Sequence, residues 1–181
     1  MSIQASVYIA TSLDGFIARK DGSLDWLDAA AATVPEGEDC GYKVFMDSID
    51  VLIMGRGTYE KVLSFGGWPY TKPVVVLSPA PITFPETLPD TVSHSSEAPD
   101  ALLKRLEAEG VRRVYVDGGK TIQRFLAAGL IDDLILTRIP ILLGDGIPLF
   151  AGVNDIPLTH IRTTAYDFGF VQSTYTVANA D

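Results

Sequence analysis

Short β-rich runs alternate with helical runs whose apolar residues recur every three or four positions, and the alternation persists from residue 3 to about residue 131. Residues 3–10, Ile-Gln-Ala-Ser-Val-Tyr-Ile-Ala, predict a buried first strand, which stops before the turn pair Asp14-Gly15. Residues 39–48 predict a helix with Tyr42, Phe45 and Met46 on one face, leading into a strand over 50–54. Gly55-Arg56-Gly57-Thr58 breaks that strand, and Thr58 is placed to cap a helix over 59–63. A Gly/Pro link over 66–69 precedes a third strand at 74–77. Pro79, Pro81, Pro85, Pro89 and Pro99 exclude helix between them and leave room only for short edge strands such as 91–93.

The pattern resumes at 100–109, a helix with Leu102, Leu103 and Leu106 inward and Gly110 as its stop. Residues 111–116 predict a strand, Asp117-Gly118-Gly119 a tight turn, and 121–128 a helix presenting Ile122, Phe125 and Leu126. From 132 onward the chain is β: a strand at 133–142, the loop Gly144-Asp145-Gly146, and a hairpin over 166–177. Strands joined by helices come first and helix-free strands last. That order predicts an α/β fold with one mixed, mainly parallel sheet, flanked by helices and closed by antiparallel C-terminal strands. No repeat or composition break divides the chain, so a single domain over 1–181 is expected.

Composition narrows the function. The 14 Lys+Arg against 23 Asp+Glu leave a net charge of −9, and a pI near 4.6 argues against holding a nucleic-acid backbone, which takes clustered cations. No apolar run approaches the ~20 residues that cross a bilayer, and the opening Met1-Ser2-Ile3-Gln4-Ala5 lacks the basic residues of a secretory signal, so a cytoplasmic setting is expected. A lone Cys40 rules out an internal disulfide and multi-cysteine zinc patterns, and reads as a bystander thiol. His94 and His160 are too far apart for a helical metal pair and read as surface residues, so no metal is expected.

Gly119-Lys120-Thr121 resembles the end of a P-loop, but the glycine required five residues earlier is Val114. Gly55-Arg56-Gly57 opens like a dinucleotide fingerprint, but Glu60 stands where the third glycine belongs. Neither motif is present, yet both turns open helices, and a helix start offers free N–H groups and partial positive charge to an anion. Arg56 and Lys120 stand beside them, which suits a ligand with several phosphates. The alternative is two ordinary tight connections with solvated cations.

The string Val51-Leu-Ile-Met-Gly55-Arg56-x-Thr58-Tyr59-Glu60, the strand Pro73–Ser78, the turn Asp117-Gly118-Gly119-Lys120 and the strand Leu134-Ile-Leu-Thr137-Arg138-Ile139 together resemble the dihydrofolate reductase-like fold. The opening Thr11-Ser12-Leu13-Asp14-Gly15-Phe16-Ile17-Ala18 is more specifically similar to the C-terminal reductase domain of bacterial riboflavin-biosynthesis deaminase-reductases and their stand-alone relatives. The resemblance runs from about residue 3 to about 176. No zinc deaminase half is present, because His-x-Glu and Pro-Cys-x-x-Cys are both missing.

The resemblance implies an NADPH-dependent reductase, with Gly55, Arg56, Thr58, Gly118, Gly119, Lys120 and Thr121 clasping the cofactor's phosphates. It places Ser78 near the adenosine 2′-phosphate, Ala10 against the nicotinamide, and Leu13 and Asp14 in a flap over the substrate, with Trp26 able to wall the same site. Thr137 matches a threonine that fixes a pterin ring together with an acid, and an ungapped count back from Gly55 puts Asp39 at the acid's position. Asp39 is then either a proton relay or a carboxylate favoured by the start of a helix. Lys43, one turn further on, suits a substrate phosphate. The implied activity is reduction of 5-amino-6-(5-phosphoribosylamino)uracil. Alternatives are dihydrofolate reduction and an NADP-binding protein without turnover. The family also pairs through its C-terminal strands, so a homodimer is expected, with the apolar run 139–143 at the contact.

Overall fold

The computed structural model describes residues 2–178. In chain order the elements are β1 (Gln4–Ser12), β2 (Phe16–Ala18), α1 (Asp25–Ala31), α2 (Tyr42–Asp47), β3 (Val51–Gly55), α3 (Arg56–Leu63), β4 (Val74–Leu77), β5 (Val92–Ser95), α4 (Pro99–Ala108), β6 (Arg113–Asp117), α5 (Gly119–Ala127), β7 (Asp133–Ile139), β8 (Ile147–Pro148), β9 (Leu158–Ala165) and β10 (Val171–Val177). Eight strands form one sheet in the order β5-β4-β3-β6-β1-β7-β10-β9. The first six are parallel, and β10 runs antiparallel to β7 and β9.

The middle strands are apolar at almost every position because the sheet is covered on both sides. Successive side chains of β3 and β4 point to opposite faces, so Val51, Ile53, Val75 and Leu77 join Leu102, Leu106, Ile122 and Phe125 beneath α4 and α5. Leu52, Met54, Val74 and Val76 join Phe45 of α2 and Tyr59 of α3 on the other face. At the amino ends of the strands, Arg113 bonds Ser6 at 2.9 Å and reaches Asp133 at 3.3 Å, tying β6, β1 and β7 together. The carboxyl ends of the parallel strands are left for a ligand, the usual place in open α/β sheets.

Several elements depart from the expectations above. The helix expected over 39–48 begins at Tyr42, because Cys40 (φ 55°) and Gly41 (φ 80°) are left-handed and interrupt the turn. Thr58 does not cap α3: that helix starts at Arg56, directly after an extended Gly55 and without a side-chain cap. The helix expected from Thr121 starts two residues earlier, at Gly119. The strand from Asp133 ends at Ile139, before Pro140, which has no N–H to donate. The terminal hairpin reaches back to Leu158. Helix α1 and the two-stranded β2–β8 ribbon were not expected. No helix among the described residues is long and apolar enough to cross a membrane.

Candidate active site at the carboxyl edge of the sheet

Two helix starts meet at the centre of this edge. Gly55 lies against Thr121, so that a Cβ there would stand 2.7 Å from Thr121 Oγ1, and a Cβ on Gly118 would collide with Thr58 Oγ1. The two turns therefore pack reciprocally, each glycine making room for the other helix's threonine. Gly118 also has φ 95°, open to glycine at no steric cost. Neither α3 nor α5 carries a side-chain cap, which leaves first-turn N–H groups of both helices free for an anion. That is the fit expected of a bound diphosphate. Lys120 is exposed at the mouth, while Arg56 turns along its own helix to Glu60 at 2.7 Å.

The adjoining part of the edge is aromatic and holds a carboxyl group. Asp117 ends β6 and accepts the Gly118 N–H at 2.8 Å. Asp117 is half-buried, and loss of water around the carboxyl pushes its pKa up to about 6, against the pull of that N–H and of the nearby Tyr115 hydroxyl. Its charge in turn helps to raise the pKa of the Tyr42 and Tyr70 phenols, although burial is the larger cause for both. Tyr8 stacks on Phe45 with ring centroids 5.0 Å apart and meets Tyr42 edge-on at 5.5 Å. A planar ring entering here would meet a wall of tyrosines beside a carboxyl group whose pKa is raised toward neutrality. Asp117 was read from sequence only as part of a tight turn. A carboxylate at the end of a buried central strand was the available signal.

Behind the tyrosines lies a neutral hydrogen-bond network. Tyr115 donates to the Tyr8 carbonyl at 2.9 Å, and the Tyr8 hydroxyl donates to the Cys40 carbonyl at 2.8 Å. The Gln172 amide donates to Thr137 Oγ1 and to the same Cys40 carbonyl, both at 3.0 Å. Thr137 and Gln172 are both buried. Thr137 is therefore joined to an amide from β10, and no hydrogen bond links it to the Asp39 carboxylate. That carboxylate is exposed and accepts the backbone N–H groups of Gly41 at 2.9 Å and Lys43 at 2.8 Å, which is the geometry of a carboxylate at a helix start. The Lys43 ammonium pairs outward with Asp47 at 2.7 Å.

The flap is tied down. Asp14 accepts Ser12 Oγ at 2.6 Å and the N–H groups of Leu143 and Gly144 at 3.2 and 2.8 Å, bonds that hold its pKa below the usual carboxylate range. Leu13 donates to the Ile141 carbonyl, and Lys20 pairs with Asp145. Ile17 lies over Gly119, so the flap packs on the first turn of α5. Leu13 itself is 54% exposed at the tip. Ala10 sits opposite Thr137 in the β1–β7 pairing. Trp26 is buried with Cys40, Ile139 and Phe170, and its indole N–H has no partner among the described residues. Ser78 is buried at the end of β4, where its carbonyl bonds the His94 ring at 2.8 Å.

Sheet order, helix placement and the antiparallel end define a dihydrofolate reductase-like fold. The family model for the RibD C-terminal domain matches residues 6–171, and the chain belongs to that family. The Bacillus subtilis protein YwjB is 39% identical over 155 residues, 83% of this chain and 84% of its own. A crystal structure of a Shewanella sp. PV-4 protein assigned to riboflavin biosynthesis has 40% identity and a TM-score of 0.92, over 98% of this chain and 100% of that one. The Thermotoga maritima diaminohydroxyphosphoribosylaminopyrimidine deaminase/5-amino-6-(5-phosphoribosylamino)uracil reductase shares the fold at 17% identity and a TM-score of 0.72, over 98% of this chain and 57% of its own.

Proposed function

We propose that the protein is an NADPH-dependent reductase acting on an aminouracil that carries a ribosyl phosphate, or on a close analogue. The bound nicotinamide supplies a hydride to the carbon of a C=N or C=O group, and the heteroatom of that group takes up a proton. Asp117 is the proton source in this reading: a carboxyl with a pKa of about 6 is still partly protonated near neutrality and can donate as the hydride arrives. The position of Asp117, at the carboxyl end of β6 beside the uncapped start of α5, is the observation that carries the proposal. Tyr42 and Tyr8 offer faces for the uracil ring, and Gly55, Arg56, Thr58, Gly118, Gly119, Lys120 and Thr121 hold the phosphates, with Ser78 toward the adenosine end.

Gln172 bears on the choice of substrate. A pterin's amino-pyrimidine edge calls for a carboxylate beside the threonine, whereas Thr137 has an amide partner, so dihydrofolate should be turned over little or not at all. The decisive experiment follows NADPH oxidation with the aminouracil ribosyl phosphate and with dihydrofolate, after titrating NADPH against tryptophan fluorescence. Oxidation with the first substrate alone is expected. Robust dihydrofolate turnover would overturn the substrate assignment, and tight NADPH binding without turnover on any aminouracil would overturn the assignment as an enzyme.

The working unit is proposed to be a homodimer formed through the C-terminal hairpin. All eight residues of β9 are exposed, and an edge strand of that length offers unpaired backbone groups to another chain. Ile161, 54% exposed in its middle, replaced by Arg should shift the sedimentation coefficient to that of a monomer.

A further inference from the structure

We propose that His94 is the residue that distinguishes a phosphorylated adenosine ribose from an unphosphorylated one, an inference that rests on the dinucleotide reading above. Register places it there. Across the parallel strands Asp117 pairs with Met54, Met54 with Val76, and Val76 with His94, so the four lie in one row at the carboxyl ends of β6, β3, β4 and β5. At about 4.8 Å per strand, His94 stands roughly 14 Å along the edge from Asp117. The helix starts that fit a diphosphate open from β3 and β6. A dinucleotide laid along this edge with its reacting ring at Asp117 brings its far ribose to β4 and β5.

The ring is also fixed in a way that leaves one nitrogen for a ligand. Its partner is the Ser78 carbonyl, an acceptor only, so Nε2 carries the hydrogen of the 2.8 Å bond. Nδ1 has no protein partner among the described residues, and in the imidazolium form it too is a donor, aided by a positive charge. The neighbouring Ser78 hydroxyl, on a buried residue, likewise makes no hydrogen bond to the described residues. The nearest carboxylate in sequence, Glu97, does not compete for His94: it accepts Ser95 Oγ at 2.7 Å and is paired with Arg105 at 2.9 Å. A phosphate monoester at this position would meet His94 Nδ1, the Ser78 hydroxyl and, one strand away at the head of α3, Arg56. An unphosphorylated ribose would leave His94 Nδ1 and the Ser78 hydroxyl without an anion and Arg56 with Glu60 alone.

The test measures dissociation constants of NADPH, NADH, 2′,5′-ADP and 5′-ADP for the unmodified protein, His94→Gln and His94→Glu. Gln can keep a donor on the Ser78 carbonyl while removing the charge, and Glu places a negative charge where the phosphate would lie. His94→Gln should weaken NADPH and 2′,5′-ADP about tenfold with NADH and 5′-ADP unchanged, and His94→Glu should reverse the preference toward NADH. Equal changes for phosphorylated and unphosphorylated ligands, or none, would overturn the role of His94 while leaving the dinucleotide site intact. If the unmodified protein binds none of the four, the dinucleotide reading fails and this inference fails with it.

Discussion

The two halves of the carboxyl edge are built by different means. The half proposed to hold phosphates, where β3 and β6 run into α3 and α5, is made of backbone: free N–H groups and two glycine turns, each packed against the other helix's threonine. Its cations are exposed, and Arg56 is shared with Glu60, so each is worth little by itself. The chemical half is made of side chains brought together over long stretches of chain. Tyr8 meets the Cys40 carbonyl across 32 positions, Tyr115 meets Tyr8 across 107, and Gln172 meets Thr137 across 35. A backbone site tolerates most substitutions and fails at its glycines. A buried polar network fails at any member, because each lost partner leaves another group unsatisfied in a low-dielectric setting.

The contrast is broken most sharply at Asp117. Asp117→Asn should lower kcat by about 10² to 10⁴, the usual contribution of a general acid, with NADPH affinity nearly unchanged. In the unmodified enzyme kcat should fall as pH rises through about 6, the pKa to which burial raises this carboxyl, and Asp117→Asn should lack that limb. The stability of the unmodified protein should fall over the same pH range. The folded state holds this proton more tightly than the unfolded chain, so the stability it contributes is present below the ordinary carboxylate value and lost as pH rises through about 6. Removing the buried charge should therefore stabilise the protein at pH 8, by about 1 to 3 kcal/mol, read as a higher Tm. Loss of both activity and stability at pH 8 would make Asp117 a structural carboxylate.

The backbone half is tested at Gly118. With φ 95° and a Cβ that would strike Thr58, Gly118→Ala should cost about 1 to 3 kcal/mol in chemical denaturation and weaken NADPH at least tenfold. NADPH binding as tight as in the unmodified protein would show that the two helix starts need not close on each other. The smallest effect is expected at Asp39. As a carboxylate holding the N–H groups of Gly41 and Lys43, Asp39→Ala should cost about 1 kcal/mol of stability and change kcat by no more than a few-fold. A hundredfold loss of kcat in Asp39→Asn, with stability intact, would return the proton relay to Asp39.

The phosphate half was readable in the chain because its parts are contiguous. A strand, a glycine turn and a helix follow one another directly over 51–63 and over 113–127, and local rules suffice to place free N–H groups there. The chemical half was readable only at single residues. Thr137 was found by resemblance, but nothing near it in sequence points to Gln172, and Asp117 passed as a turn residue beside two glycines. His94 passed as a surface residue because its strand lies in a proline-rich stretch, where its alignment with Ser78 depends on how β5 docks on β4.

Periodicity and turn chemistry by themselves determined most of the main-sheet strands, the helices between them and the two glycine turns, since each follows from interactions spanning a few residues; α1 and the β2–β8 ribbon were not among them. Tertiary structure decided where the helix after Asp39 begins. The left-handed Cys40 is held by hydrogen bonds to its carbonyl from Tyr8 and Gln172, partners 32 and 132 positions away. The same long-range packing decided the state of the site's carboxyl groups. Asp39 lies in water and Asp117 is half-buried, and a carboxyl's readiness to keep a proton is set by how much water surrounds it, which only the assembled fold determines.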